Sequence, residues 1–137
     1  MHLKLIKITM ALLMMELMDH TENLVSSTLD RKSLIVAEAL HEIEENYRCP
    51  NLSSVAERNH VSLAYVSSLI KNETGKTFSE HLETRRMKLA SFYLCETDMA
   101  IEDIIYLSGY SNSSYFYKVF KERYGDTPNF YRKRKKA

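Results

Sequence analysis

Glycine, proline and cysteine are all scarce in this chain, which has three, two and two of them among its 137 residues. With so few helix breakers, the chain is predicted to be mostly helical. Neither Cys49 nor Cys95 has the spacing of a zinc or redox motif, which predicts a reduced, intracellular protein without disulfides. A chain of this length can bury a hydrophobic core without disulfides or a structural metal, so we expect one domain, or one domain with an appendage.

Patterns typical of enzymes are also missing. There is no Gly-rich phosphate loop, no metal-ligand cluster and no spaced nucleophile and base. His41 and Glu45 lie four residues apart, but such a lone pair is more often a surface contact than a metal site. We therefore expect a protein that is not an enzyme and that has no catalytic residue, no metal and no cofactor.

The apolar N-terminal run is interrupted by Glu16 and Asp19. It lacks a cleavage site of small residues, and it is too short to span a bilayer. We therefore expect no membrane contact and a cytoplasmic location.

The net charge of +1 hides a basic end. Residues 131–137 contain five basic side chains and no acidic one. A short basic tail is typical of nucleic-acid contact, although it is also common at a solvated chain end. Near neutrality does not exclude DNA binding, because a local patch can supply the attraction to phosphate.

The stretch from Ser108 to Lys121 predicts a turn followed by a helix. Gly109 can adopt positive φ, and Ser111 or Asn112 can cap the helix that follows. Apolar residues recur at spacings of three and four, which buries one face. The opposite face carries polar and cationic groups suited to a DNA major groove. They are Asn112, Ser113, Ser114, Tyr117, Lys118 and Lys121.

An earlier stretch repeats this pattern 50 residues upstream. The matching pairs are Tyr65 and Tyr115, Val66 and Phe116, Leu69 and Val119, Ile70 and Phe120, Lys71 and Lys121, Gly75 and Gly125, and Thr77 and Thr127. Such repetition indicates one supersecondary unit used twice. Each copy is preceded by a short helix, over Leu52 to Asn59 and over Met99 to Ser108, which is helix-turn-helix geometry.

Outside the N-terminal segment, the chain predicts three further helices. A helix capped by Asp30 or Ser33 runs to about Tyr47, with an acidic outer face. A long one starts at Thr77 or Ser79 and reaches about Cys95. A last helix over Asn129 to Arg134 follows Thr127 as cap and Pro128 at its first position.

Residues 2–24 predict an N-terminal helix, followed by a polar linker over Thr21 to Asp30. Its apolar positions form two rows: Leu3, Ile6, Met10, Leu13 and Leu17, and Leu5, Ile8, Leu12 and Met15. The first row has the spacing of a coiled-coil seam, and a helix that is apolar on two sides needs cover. Two explanations compete: a homodimer through residues 1–24, or the last helix of an upstream effector or dimerisation domain.

The chain resembles the AraC/XylS family of bacterial transcription regulators over roughly residues 32–134. The resemblance rests on Ile104–Tyr110, Ser114–Phe116, Val119–Lys121 and Gly125–Arg132. It implies an all-α fold: a seven-helix DNA-binding domain over residues 31–137, with two helix-turn-helix units joined by a long central helix. Residues 1–30 then form an extra N-terminal helix and linker.

The resemblance also implies a function. The family's recognition helices, here about 62–73 and 112–123, enter successive major grooves of double-stranded DNA. By position, the base-facing residues are Ala64, Ser67, Ser68, Asn112, Ser113, Ser114, Tyr117 and Lys118. Those expected near phosphate are Lys71, Lys76, Arg85, Arg86, Lys121 and Arg132. Arg86 matches a family arginine for which a structural role is the alternative, and Arg85 could instead pair with acids.

Two departures from the family pattern bear on mechanism. His60 replaces a usual glycine in the first turn, and Ile105 stands where a small residue is usual. Because Ala64, Ser67 and Ser68 are short, we expect base readout to depend mainly on the second unit.

Two functions follow from this sequence. The first is a sequence-specific transcription regulator. Because activation is common in the family that the chain resembles, we expect an activator, with RNA polymerase as a candidate partner. The alternative is a helix-turn-helix module that binds proteins and has little or no specific DNA binding.

Overall fold

The computed structural model describes the backbone of residues 2–19 and 27–137, and the side chains of residues 2–15 and 31–137. This part of the chain is all helical, with eight helices and no strand. The helices are α1 (His2–Asp19), α2 (Ser27–Glu45), α3 (Leu52–Arg58), α4 (Leu63–Thr74), α5 (Phe78–Glu96), α6 (Ile101–Leu107), α7 (Ser113–Tyr124) and α8 (Pro128–Lys136). The predicted class, seven helices after an N-terminal one, is confirmed.

Most helix ends lie within a residue or two of their predicted positions, but the start of α2 was predicted wrongly. Asp30 and Ser33 were expected as its N-cap, whereas the helix already begins at Ser27. Residues 27–30 are therefore helical and do not belong to the linker. The predicted end of the first helix and most of that linker, residues 20–26, fall outside the described residues.

The chain forms two compact units. Unit 1 comprises the described residues of Met1–Asn46 together with Pro50–His81. Unit 2 comprises Tyr47–Cys49 together with Leu82–Ala137. Each unit therefore contains one complete helix-turn-helix pair, α3 with α4 and α6 with α7.

The core of unit 1 is aliphatic. Ile35, Val55, Val66 and Ile70 are essentially inaccessible to solvent and come from α2, α3 and α4. Ala56 is also buried, and its small side chain leaves room for the α3–α4 crossing. Helix α1 also packs against α2, and its Ile8 is buried.

The core of unit 2 is built on aromatic rings. Phe116 and Phe120 of α7 are fully buried, with ring centroids 5.8 Å apart. The Phe120 ring also meets Tyr124 at 4.7 Å and Tyr131 at 5.3 Å. Ile105 is buried as well, although the family pattern favours a small residue at that position.

No helix in the described part of the chain is both long and apolar enough to cross a membrane.

Candidate nucleic-acid interface

The two helix-turn-helix turns share the same backbone hydrogen bonds. In unit 1, the amide of His60 donates to the Glu57 carbonyl at 3.1 Å, and that of Val61 donates to Ala56 at 3.1 Å. Forty-nine residues later, Gly109 donates to Tyr106 at 3.0 Å and Tyr110 to Ile105 at 3.1 Å. The repeat inferred from side-chain identities is therefore also a repeat of main-chain geometry.

Each turn needs one residue with positive φ at the same position. Gly109 has φ +94°, which glycine adopts without penalty. Its counterpart His60 has φ +56°, a left-handed conformation that costs a side-chain-bearing residue about 1–2 kcal/mol. The expected replacement of glycine by His60 thus places strain in the first turn that the second turn lacks.

Matched caps fix both ends of α4 and α7. The Ser62 hydroxyl accepts from the Tyr65 amide at 3.1 Å, and the Asn112 side-chain oxygen accepts from the Tyr115 amide at 3.0 Å. At the other ends, Gly75 and Gly125 adopt left-handed conformations. Of the two caps predicted for α7, Asn112 is the one used, and its amide group remains as a donor.

The outer face of α4 carries short side chains. Val66, Leu69 and Ile70 face the core, and Ala64, Ser67 and Ser68 are exposed on the other side. Lys71 is exposed too, but its ammonium group donates to the Gly75 carbonyl at 3.1 Å. This face can offer two hydroxyl groups and little reach into a groove.

The outer face of α7 is longer and more cationic. Ser113, Ser114, Tyr117, Lys118 and Lys121 are all exposed, and Tyr117 keeps 40% of its surface accessible. Among the side chains that the structure describes, no carboxylate forms an ion pair with Lys118 or Lys121. Both ammonium groups are therefore available to an external anion or base edge.

The flank of α7 holds an internal polar cluster. Glu83 accepts from the Tyr115 hydroxyl at 3.4 Å and lies 3.9 Å from the Arg123 guanidinium. The negative charge of Glu83 raises the pKa of the Tyr115 phenol, which therefore stays protonated and able to donate. Arg123 also donates to the Thr84 hydroxyl at 3.1 Å, so internal contacts hold this arginine.

Arg86 has an internal role. Its Nε donates to the Tyr47 carbonyl at 2.8 Å, and its Nη2 donates to the Arg48 carbonyl at 3.3 Å. The guanidinium also lies over the Tyr110 ring, 5.4 Å from the centroid. Burial raises the pKa of the Tyr110 phenol well above its usual range, so this ring stays neutral beside the cation. We therefore leave Arg86 out of the candidate phosphate contacts.

Two further arginines expected near phosphate are directed into unit 2. Arg85 is half-buried and its guanidinium stacks on the Tyr47 ring at 4.9 Å. Arg132 donates from Nε to the Leu94 carbonyl at 3.2 Å, near the end of α5. Lys71, Lys76 and Lys121 remain as exposed candidates from the predicted phosphate set.

Two cations beside α4 were not among the predicted phosphate contacts. Arg31 and Lys32 of α2 line an open cleft of about 340 Å³ together with Val61, Ser62 and Tyr65. Arg31 donates to the Asn59 carbonyl at 2.9 Å, which holds it at the first turn. No sequence signal pointed to this pair, because only the packing of α2 on α4 brings residues 31 and 32 close to residue 62.

Two of the five basic residues in the C-terminal tail form ion pairs. Arg134 pairs with Asp126 at 2.8 Å, and Lys136 pairs with Asp98 at 2.6 Å. The Lys136 ammonium in turn holds the pKa of the Asp98 carboxyl below its usual range. The tail is thus a weaker anion-binding segment than its composition predicted.

Comparisons with known proteins agree with this geometry. Residues 55–134 match a family described as a helix-turn-helix domain. Over 97 residues the chain is 39% identical to an uncharacterized HTH-type transcriptional regulator, YtdP of Bacillus subtilis. The matched region covers 71% of this chain and 12% of that protein. Over 93 residues it is 34% identical to the transcriptional activator PerA of Escherichia coli, with 66% and 31% covered.

A solved structure has the same architecture. The C-terminal domain of AraT, a response regulator from Geobacillus stearothermophilus, superposes with a TM-score of 0.66 at 36% identity. It covers 73% of this chain and 84% of that domain. The chain spans well under half the length of the two regulators named above. On the family match, the relatives and the repeated helix-turn-helix geometry, this chain belongs to the AraC/XylS family of transcription regulators.

Proposed function

We propose that this chain is a sequence-specific DNA-binding regulator that inserts α4 and α7 into successive major grooves. The observation that carries the proposal is the repeated unit itself. Each copy caps a twelve-residue helix at both ends and leaves its polar face free of the core. An exposed helix of this kind fits the major groove, where base edges present distinct hydrogen-bonding patterns.

Readout in this proposal is unequal. Tyr117 and Lys118 of α7, with the Asn112 amide, can reach base edges, whereas Ala64, Ser67 and Ser68 of α4 cannot make bidentate contacts. A good bidentate pair contributes about 1–3 kcal/mol of discrimination. The second unit therefore selects the sequence, and the first unit adds position and affinity.

Phosphate contacts would come from the cations that the protein does not use internally. Lys76 and Lys121 are exposed, and Lys71 can leave its single carbonyl contact. We add Arg31 and Lys32, since both lie beside Ser62 at the start of α4. Neutralising a phosphate releases a counterion, so each contact makes binding more sensitive to salt.

Activation of transcription is the second half of the proposal. PerA is named as a transcriptional activator, and this chain is similar to it over 93 residues. RNA polymerase is then the partner that an activator must influence.

The rival function, a protein-interaction module, drew support from the acidic outer face of α2. Two of those acids have internal tasks. Glu38 accepts from Asn59 at 3.0 Å and lies 3.7 Å from Arg58, and Glu42 accepts from the Asn51 amide at 2.9 Å. A face partly used in this way is a weaker reason to expect a protein partner.

The test is selection from random duplex DNA with the full chain at two salt concentrations, followed by sequencing. We expect enrichment of a two-part site whose halves lie about one helical turn apart, roughly 34–36 Å, with the stronger consensus in one half. Salt-sensitive binding without enrichment would contradict specific readout. No binding at low salt would favour the protein-interaction function.

A further inference from the structure

Each recognition helix carries a tyrosine on one flank, between its buried face and its outer face. Tyr65 of α4 and Tyr115 of α7 occupy matching positions of the repeat and are 40% and 49% exposed. An α-helix with its side chains is about 10–12 Å across, and the major groove of DNA is about 12 Å wide. A helix that enters the groove therefore brings its flanks against the sugar-phosphate strands on either side.

The flank of α4 at Tyr65 is cationic. Arg31 and Lys32, in the second turn of α2, line the cleft of about 340 Å³ beside Ser62. The Arg31 guanidinium is held there by its hydrogen bond to the Asn59 carbonyl at 2.9 Å. An arginine has five N–H donors, so others remain able to bind an anion. Guanidinium, ammonium and hydroxyl groups are among the donors that bind DNA phosphate.

The flank of α7 at Tyr115 is anionic instead. The Tyr115 hydroxyl donates to Glu83 of α5 at 3.4 Å, and Glu83 lies 3.9 Å from the Arg123 guanidinium. Both contacts are long, so they compensate the carboxylate charge only in part. The Glu83 side chain also remains 36% exposed. The flank that offers phosphate two cations in unit 1 therefore offers it a carboxylate in unit 2.

We propose that these matched flanks have opposite roles toward the DNA backbone. The cleft of Arg31 and Lys32 binds one phosphate beside α4, and the carboxylate of Glu83 repels the phosphate strand beside α7. This inference rests on the proposed function, because the flanks meet phosphate only when the helices enter DNA. Sequence-independent affinity then comes mainly from unit 1, since phosphate contacts carry no sequence information. Glu83 lowers that affinity in unit 2, where base contacts have to supply the binding energy.

The test is equilibrium binding of the full chain to the selected duplex and to a scrambled duplex, at several salt concentrations. Arg31→Ala and Lys32→Ala should each weaken binding to both duplexes about two- to tenfold. Each should also reduce the slope of log affinity against log salt concentration by about one. Glu83→Gln should strengthen binding to both duplexes about two- to fivefold, because it removes the repulsion and keeps an oxygen that can accept from Tyr115.

Two control variants separate the flanks from a general change in net charge. Lys7→Ala removes the same positive charge from an exposed position on α1, and Glu96→Gln removes the same negative charge from an exposed position on α5. Each should change the affinity by less than about twofold, because salt screens exposed charges that are not in contact with phosphate. Far-ultraviolet circular dichroism checks that each variant is folded.

Neutral methylphosphonates at single positions of the selected duplex test each flank directly. At the phosphate bound in the cleft, the neutral group should weaken binding of wild type and leave Arg31→Ala nearly unchanged, because that contact is already lost. At the phosphate nearest Glu83, it should strengthen binding of wild type and have little effect on Glu83→Gln. These comparisons are double-mutant cycles, which isolate the pairwise contribution.

The outcomes separate this inference from the proposed function. Binding of Arg31→Ala and Lys32→Ala no weaker than that of Lys7→Ala would overturn the phosphate site of unit 1. Unchanged binding of Glu83→Gln would overturn the repulsion in unit 2, and weaker binding would show that Glu83 positions α7 instead. In each of these cases wild type still binds DNA, and the proposed function stands. A wild-type chain that binds neither duplex at low salt would overturn both.

Discussion

The two units fold the same backbone around different side chains. Matched turns have the same hydrogen bonds to within 0.1 Å at His60 and Gly109, and a side-chain cap, Ser62 or Asn112, precedes each of α4 and α7. Inside, unit 1 packs Val66 and Ile70 where unit 2 packs Phe116 and Phe120. The helix-turn-helix backbone is held by local hydrogen bonds. The core side chains of the two units can therefore differ in size while the backbone geometry stays the same.

The two outer faces differ in parallel with the cores. The α4 face ends in hydroxyl and methyl groups, and the α7 face carries a phenol and two exposed ammonium groups. The same helix-turn-helix backbone thus presents an α4 face with little capacity for base readout and an α7 face with more. If the two units differ in this way, matched substitutions should have unequal effects in their cores and on their outer faces.

The largest effect on stability is expected from substitutions at matching core positions of the two units. Phe120→Ala should destabilise the protein by about 3–5 kcal/mol, because it removes a fully buried ring that contacts three other rings. Ile70→Phe should cost about 1–3 kcal/mol, because a larger side chain at this fully buried position overpacks the core of unit 1. Urea unfolding followed by circular dichroism measures both. Unchanged stability in Ile70→Phe would show that the two cores are not packed differently.

The next effect concerns DNA. Lys118→Ala should cost about 1–3 kcal/mol on the selected site, and it should relax base preference in one half-site. Ser68→Ala, at the matching position of α4, should change the binding free energy by less than about 0.5 kcal/mol because a hydroxyl makes only a weak contact. Competition binding against a scrambled duplex separates the two contributions. An equal loss on every sequence would mean that Lys118 touches only phosphate.

Substitutions in the two helix-turn-helix turns should change the free energy of unfolding in opposite directions. Gly109→Ala should destabilise by about 1–3 kcal/mol, since φ is +94° and the new Cβ would lie 3.0 Å from Arg86 Nε. His60→Gly should stabilise by up to about 1 kcal/mol, because relief of left-handed strain exceeds the added chain entropy. The same unfolding experiment ranks them. If His60→Gly destabilised the protein, the histidine side chain would have to contribute a contact that outweighs its backbone strain.

The smallest expected effect is a pH dependence of the free energy of unfolding that arises from His81 in unit 1. Burial, together with the charges of Lys4 and Lys76, lowers the pKa of His81 below 6.5. Its Nε2 lies 2.8 Å from the Thr74 hydroxyl. Protonation then favours the unfolded chain, so the stability contributed by neutral His81 is complete above about pH 6.5 and declines as the pH falls through the lowered value.

His81→Gln removes this titration, and unit 2 has a tyrosine, Tyr131, at the matching position. Unfolding free energies of wild type and His81→Gln, measured between pH 5 and 7.5, should converge or cross toward acid. Parallel curves would show that His81 has the same pKa in both states.

Local hydrogen bonds explain what the sequence predicted well. Thr77 caps α5 by accepting from the Glu80 amide at 3.1 Å, and Thr127 with Pro128 begins α8, as expected from residues at most three positions apart. The repeat, the turns and the exposed positions of α4 and α7 follow from the same short-range rules, because cap and apolar spacing are properties of adjacent residues. The division into residues 1–30 and 31–137 stays a prediction.

Long-range packing decided the rest. Both rows of α1 look equally apolar in sequence, and only contact with α2 determined that Ile8 is buried and Ile6 exposed. Arg86 carries a positive charge in any context, but its distance to Tyr47, 39 residues away, gives it an internal role. Arg31 gained its place beside the first turn in the same way, at Asn59. By itself, the sequence determined which segments are helical and, except for α2, roughly where they begin, because capping energies are local. Which face each helix buries, and which cations stay free for a ligand, depended on contacts that exist only in the folded chain.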